Sequence, residues 1–236
     1  MVYMVAVAGK VVVVTGGRRG LGAALVDELL ARGVRKVYST GRSSFTDERA
    51  QVVPVELEVR SEASVSAFAD IASDAEIVFN NAGILLPDAL LTGSFDDIET
   101  TFDINVFGPL RVARAFAPIL ASNGGGALVN MHSVLSWVAG SAAYGASKAA
   151  IWSVTNSLRG ELAAQGTQVV GVHAGLIETE MAANIPGPKT TAADIATRII
   201  DGLESGAVEV LADDVSVGVK SALSGPVENL TFAMAV

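Results

Sequence analysis

Cysteine is absent, and histidine occurs only at His132 and His173. The first absence excludes disulfides. The second leaves too few ligands for a zinc or blue-copper site, so no metal is expected; counting leaves open only a carboxylate-held magnesium ion. Positive charge is scarce as well. Lys plus Arg number 16 against 25 Asp plus Glu, for a net charge of −9. With no basic stripe either, a nucleic-acid partner is not expected. Charged residues make up only 17% while half the chain is hydrophobic, and mean hydropathy is +0.47. A disordered chain is thereby excluded, and a large core is favoured. No run of 18 uncharged apolar residues occurs. The apolar start, MVYMVAVAGK, lacks a basic region and stops at Gly9-Lys10. Neither a secretory signal nor a membrane partner is expected, and the default reading is a cytoplasmic protein.

What is present alternates between two periods. Lys10–Thr15 is a continuous β-branched run, as in a strand buried on both faces. Leu21, Leu25, Leu29 and Leu30 then recur at helical spacing up to Gly33. Further strands are expected over 34–40, 51–59, 76–80, 127–132, 168–173 and 208–211. Helices are expected over 62–73, 95–121 (with a break near Gly108-Pro109), 142–164, 191–203 and 213–223. Thr190 or Thr191 would cap the helix over 191–203. Repeated β-α units imply right-handed crossovers and a parallel sheet. The 236 residues read as one α/β domain, a single doubly wound Rossmann-like sheet with helices on both faces. Ligands of such sheets lie beyond the carboxyl ends of the strands, at the switch point.

The first strand ends in Thr15-Gly16-Gly17-Arg18-Arg19-Gly20-Leu21-Gly22. Gly16 permits a tight turn, Gly20 lets the backbone approach a pyrophosphate, and Gly22 permits close helix packing. The helix behind adds free N–H groups and the positive end of its dipole. The spacing T-G-x-x-x-G-x-G resembles the short-chain dehydrogenase/reductase family. Asn80-Asn81-Ala82-Gly83, Asn105, Ser133 and Tyr144-Gly145-Ala146-Ser147-Lys148 match further motifs in the family's order. The resemblance runs from about Lys10 to Thr179, and it implies cofactor contacts at Asn81, Ala82 and Gly83.

The residue expected to meet the adenosine ribose lies about 20 residues past the glycines. That stretch reads Ser39-Thr40-Gly41-Arg42, without a carboxylate. Arg42 can pair with a 2′-phosphate, and Arg18 or Arg19 can approach it from the glycine turn. NADP(H) is therefore favoured over NAD(H). By resemblance, Glu58 and Val59 lie at the adenine, and Gly175, Ile177 and Thr179 in the stretch that holds the carboxamide.

Tyr144 and Lys148 stand four residues apart on one helix face. An ammonium about 4 Å from the phenol, at an effective dielectric of about 20, contributes about 4 kcal/mol. That equals about three pKa units and would bring a tyrosine toward the working pH as general acid or base. The resemblance implies that Lys148 also bonds the nicotinamide ribose, that Ser133 orients the substrate oxygen, and that Asn105 holds a water linking Lys148 to solvent. Ser136 is the alternative serine. The loop from Ser133 to Tyr144 is about two residues shorter than is common in the family. His132 and His173 are read as core or wall residues rather than catalytic ones.

Leu85, Leu135, Trp137, Leu176, Met181 and Ile185 are candidate pocket residues, and they suit a small or medium hydrophobic ketone or secondary alcohol. The expected activity is NADPH-dependent carbonyl reduction or its reverse. The alternatives are a non-catalytic NADP(H)-sensing protein of the same fold and a non-redox relative. The helix over 142–164, rich in Ala and Ser, suggests packing against a second subunit in a homodimer or homotetramer; an internal core helix is the other reading.

Overall fold

The structure is a computed structural model that describes residues 4–86 and 89–231. The first three residues of the apolar start and the last five of the tail lie outside the described residues. In chain order the elements are β1 (Val11–Val14), α1 (Gly20–Ala31), β2 (Lys36–Gly41), β3 (Val52–Glu56), α2 (Glu62–Ile71), β4 (Ile77–Asn80), α3 (Phe95–Phe102), α4 (Gly108–Ser122), β5 (Ala127–Met131), α5 (Ala142–Glu161), β6 (Gln168–His173), β7 (Ile177–Glu178), β8 (Thr190–Thr191), α6 (Ala192–Glu204), β9 (Glu209–Leu211) and α7 (Asp214–Ala222). Seven strands form one sheet in the order β3-β2-β1-β4-β5-β6-β9. Every pairing in it is parallel. The order reverses between β1 and β4, which is the switch point of a Rossmann-like sheet.

Strand alternation builds two cores. Val12 and Val14 face α1 and α6, where Leu25, Leu29, Ile195 and Ile199 are fully buried. Val11 and Val13 face the opposite side, with Phe68 of α2 and Phe116 and Leu120 of α4. A strand covered on both faces has no polar position, which is why β1 reads as valine throughout. Each fully buried valine stabilises the fold by about 1.5–3 kcal/mol.

Two expectations need adjustment. The third strand stops at Glu56, so Glu58 and Val59 lie in the following loop. Its Pro54 is tolerated because β3 is an edge strand. The helix over 95–122 is not broken at Gly108-Pro109. It runs on through a widened π turn, Asp103–Phe107, in which the Gly108 N–H reaches the Asp103 carbonyl. Pro109 has no N–H to give to the Asn105 carbonyl four residues back, and the widening falls at that point. This 28-residue stretch passes a length-and-hydropathy criterion for a membrane span, yet half of its most apolar window is buried in the protein. Between β6 and α6 lies the small β7–β8 ladder, which sequence periodicity did not reveal. Thr191, rather than Thr190, caps α6 by accepting the Asp194 N–H at 3.1 Å.

Candidate active site

The glycine turn joins β1 to α1 at the switch point. Gly16 (φ 66°) and Gly20 (φ 55°) both occupy the left-handed region. At Gly22 a side chain is excluded, since a Cβ would lie 2.1 Å from the Gly16 carbonyl oxygen and 2.7 Å from Asn81 Nδ2. The contact is thus helix against turn. Gly17 is also crowded, though by a side chain: a Cβ there would lie 2.4 Å from Ser39 Oγ. The N-terminus of α1 has no side-chain cap, so the first-turn N–H groups, Leu21 included, have no partner within the helix. Bare backbone donors behind a turn too tight for any Cβ fit a pyrophosphate group.

Asn81 staples this turn to β4. Its Nδ2 donates to the Thr15 carbonyl at 3.0 Å, and the Asn81 and Ala82 N–H groups donate to Thr15 Oγ1 at 3.0 Å. Thr15 is therefore a site-building residue that motif matching left without a role. Thr179 reaches the cradle from the other side, since a Cβ on Gly20 would lie 3.3 Å from its Cγ2. Gly175 is held by a 2.6 Å bond from its N–H to Asp213 Oδ2. Asp213 also caps α7, through Ser216. That junction joins residues 38 positions apart, and no local pattern signals it.

Beside the turn lies a groove of about 420 Å³ lined by Gly17, Arg18, Ser44, Phe45 and Thr46, among others. Arg18 donates to Ser43 Oγ at 3.0 Å and stands 5.7 Å from the Phe45 ring centre. Asp47 also lines the groove, but Arg49 holds its carboxyl down at about 2, so its charge is matched. Arg42 follows the end of β2 and is exposed. Arg19 turns elsewhere and pairs with Glu180 after β7. Both groups are largely exposed, so the pair contributes about 1 kcal/mol at most. Glu58 accepts the Arg60 N–H at 2.9 Å, which folds its carboxylate back on its own loop. Val59 is buried against Gly108.

Tyr144 and Lys148 lie in the first turns of α5. The chain enters this helix abruptly, through Gly140 (φ 120°) and Ala142 (φ 45°), as the short preceding loop requires. The Ser133 hydroxyl hydrogen-bonds the Tyr144 phenol and also accepts the Leu135 N–H at 3.1 Å. Ser136, the alternative, gives its hydroxyl to the Lys148 carbonyl at 3.1 Å. Lys148 Nζ donates to the Met131 carbonyl at 2.8 Å and stands 5.6 Å from the Tyr144 ring centre. Gly83 lies close to the Asn105 amide, since a Cβ there would lie 3.2 Å from Asn105 Oδ1. The Asn105 amide is fully engaged. It accepts the Ile84 N–H at 2.9 Å and donates to the Ile84 carbonyl at 3.0 Å and to Ser147 Oγ at 3.1 Å. Its side chain therefore braces the π turn against α5.

The electrostatics correct the expectation of an acidified phenol. Burial pushes Tyr144 up to about 12, and the Ser133 hydroxyl offsets this only in part. Lys148 is itself pulled down to about 8 by burial. Both groups favour their uncharged forms for the same reason, and the cation is committed to the Met131 carbonyl.

Among the pocket candidates, Leu85, Leu135, Leu176 and Ile185 are half-buried and Met181 is exposed. Trp137 does not line an open wall. It is 9% exposed, stacks on His173 at 3.7 Å, and has Lys220 Nζ 4.8 Å from its ring centre. The segment after α7 closes on the same loop, with the Ala139 N–H donating to the Leu230 carbonyl at 2.9 Å.

The family model for short chain dehydrogenases matches residues 10–189. An uncharacterized oxidoreductase of Staphylococcus epidermidis is 32% identical over 189 residues, covering 75% of this chain and 82% of that protein. A short chain dehydrogenase of Burkholderia cenocepacia, solved in complex with NADP, is 37% identical with a TM-score of 0.90, covering 95% of this chain and 96% of that one. A Burkholderia phymatum short chain dehydrogenase/reductase in complex with NAD shares the fold at 24% identity and a TM-score of 0.81, covering 92% and 94%. With the cradle, the Ser133–Tyr144–Lys148 cluster and these matches together, the chain belongs to the short-chain dehydrogenase family and is an oxidoreductase of that type.

Proposed function

We propose that the protein reduces a hydrophobic ketone to a secondary alcohol with NADPH, or runs the reverse oxidation. The observation that carries this reading is the meeting of the Ser133 and Tyr144 hydroxyls beside the buried Lys148. When bound, a reduced nicotinamide dinucleotide supplies hydride to the carbonyl carbon. Ser133 donates a hydrogen bond to the substrate oxygen and orients it. Tyr144, like any phenol, holds its proton at neutral pH, and burial moves it further up, to about 12; it gives that proton to the oxygen as the C=O bond becomes C–O–H. The Lys148 ammonium then steadies the phenolate left behind. A panel of ketones, followed by loss of NADPH absorbance, tests the reading. Tight NADPH binding with no ketone reduced would favour the nucleotide-sensing alternative.

The mechanism predicts a pH profile. The ammonium is present below the Lys148 pKa of about 8 and is lost above it, well before Tyr144 gives up its proton. Reductive kcat/KM should be level near neutrality and fall above about pH 8. An alkaline limb that starts only beyond pH 10 would remove the ammonium from the mechanism.

The preference for NADPH rests on Arg18, which lines the groove, on the exposed Arg42 just past β2, and on NADP in the 37%-identical relative. A guanidinium bond to a phosphate contributes about 1.5–3 kcal/mol. Arg42→Ala should therefore raise KM for NADPH about 10- to 100-fold and leave KM for NADH within about twofold. An unchanged ratio of the two would show that Arg42 does not read the phosphate. The same reading carries a homodimer or homotetramer, supported by Phe95 and Phe107, which stand 70% and 49% exposed.

A further inference from the structure

Behind Ser133 runs a buried chain of polar side chains that the proposed reaction does not use. Asn80 Nδ2 donates to Asn130 Oδ1 at 2.9 Å, and Asn130 Nδ2 donates to Thr155 Oγ1 at 2.9 Å. Thr155 Oγ1 lies 2.8 Å from His132 Nε2, and His132 Nδ1 lies 3.1 Å from His173 Nε2. The chain ends at the Ser133 carbonyl oxygen, 3.0 Å from His173 Nδ1. Every side chain in it is at most 4% exposed.

The last acceptor determines the proton on His173. A carbonyl only accepts, so His173 carries hydrogen on Nδ1. An uncharged His173 then presents a bare Nε2, and His132 must meet it with Nδ1–H. His132 Nε2 is bare in turn and takes the Thr155 hydroxyl proton, for which the Ile151 carbonyl at 2.7 Å competes, while Thr155 accepts from Asn130. With both rings neutral, this arrangement makes all five bonds. Burial keeps the rings neutral, holding His173 down at about 4 and His132 well below the usual histidine value. The charged groups facing them are Glu209 of β9, whose Oε1 is 3.7 Å from His173 Nε2, and the cations Lys148, Arg159 and Lys220.

We infer that His173 is a positioning residue for Ser133. β5 ends at Met131, so the Ser133 carbonyl lies beyond the sheet ladder. The His173 ring supplies the donor there, while the Val134 N–H anchors the next residue on the Ala174 carbonyl at 2.9 Å. Trp137 stacks on the ring at 17° and keeps it from turning. Ser133 is thereby gripped from β6 with its hydroxyl toward Tyr144. The inference rests on the reading of Ser133 and Tyr144 as reacting groups.

The test compares His173→Leu, which has no donor, with His173→Asn, whose amide N–H falls near the lost Nδ1–H. His173→Leu should lower kcat about 10- to 100-fold with NADPH affinity within about twofold, and His173→Asn should recover most of the loss. An undiminished kcat in the leucine variant, or equal damage in both, overturns the inference. Long-range ¹H–¹⁵N spectra of the unmodified protein give an independent reading. Hydrogen on Nδ1 of both rings, with no titration near neutrality, is expected; hydrogen on His173 Nε2 overturns it. A native protein that reduces no ketone would sink the proposed function, whereas the ring spectra bear on His173 alone.

Discussion

Tyr144→Phe should lower carbonyl reduction about 100- to 10,000-fold, the range for removing a positioned proton donor. NADPH affinity should stay within a few fold. The substitution deletes one oxygen and leaves the ring, so the packing beside Lys148 survives. What is lost is the hydroxyl proton that Ser133 meets on α5. Single-turnover rates with saturating NADPH, together with a direct binding titration, separate the two quantities. A phenylalanine variant that keeps its rate would remove Tyr144 from the chemistry.

Gly22→Ala should be as damaging, through sterics. The new Cβ would lie 2.1 Å from the Gly16 carbonyl oxygen, where ordinary contact begins beyond 3.4 Å. The obstacle is backbone and has no rotamer to change. Either α1 lifts away or the turn opens, and Asn81 Nδ2 at 2.7 Å blocks the second route. A shift of about 1 Å in the phosphate cradle costs about 100-fold in function, so NADPH binding should weaken at least that much. Overpacking by one methyl costs about 1–3 kcal/mol, or a Tm lower by about 2–12 °C at this chain length. Calorimetry and a NADPH titration check both effects. Wild-type affinity would mean that the close approach is not what shapes the cradle.

Much of the site was legible because its chemistry is local. The glycine turn, the Tyr144–Lys148 pair and the Ser133 corner each occupy one short stretch. Their side chains meet because parallel strands end on one edge of the sheet. Trp137 shows where such reading stops. Its type and place suited a pocket wall, yet His173, thirty-six positions later, provides the surface it stacks on. Arg19 belongs with it: it pairs with Glu180, on a loop that no periodicity in the chain marks.

Sequence alone determined the order of the strands and helices of the main sheet, the double-sided burial of β1 and the residues that make up the candidate site. These follow from periodicity and from residue types that only one kind of chemistry requires. Tertiary structure decided the direction in which burial moves Tyr144 and Lys148, the bracing role of Asn105, the use of Arg19 and the path from Asn80 to Ser133. Each depends on desolvation or on a partner brought from another strand. Burial is a property of the packed chain, so the raised phenol and the lowered lysine have no counterpart in the spacing of Tyr144 and Lys148.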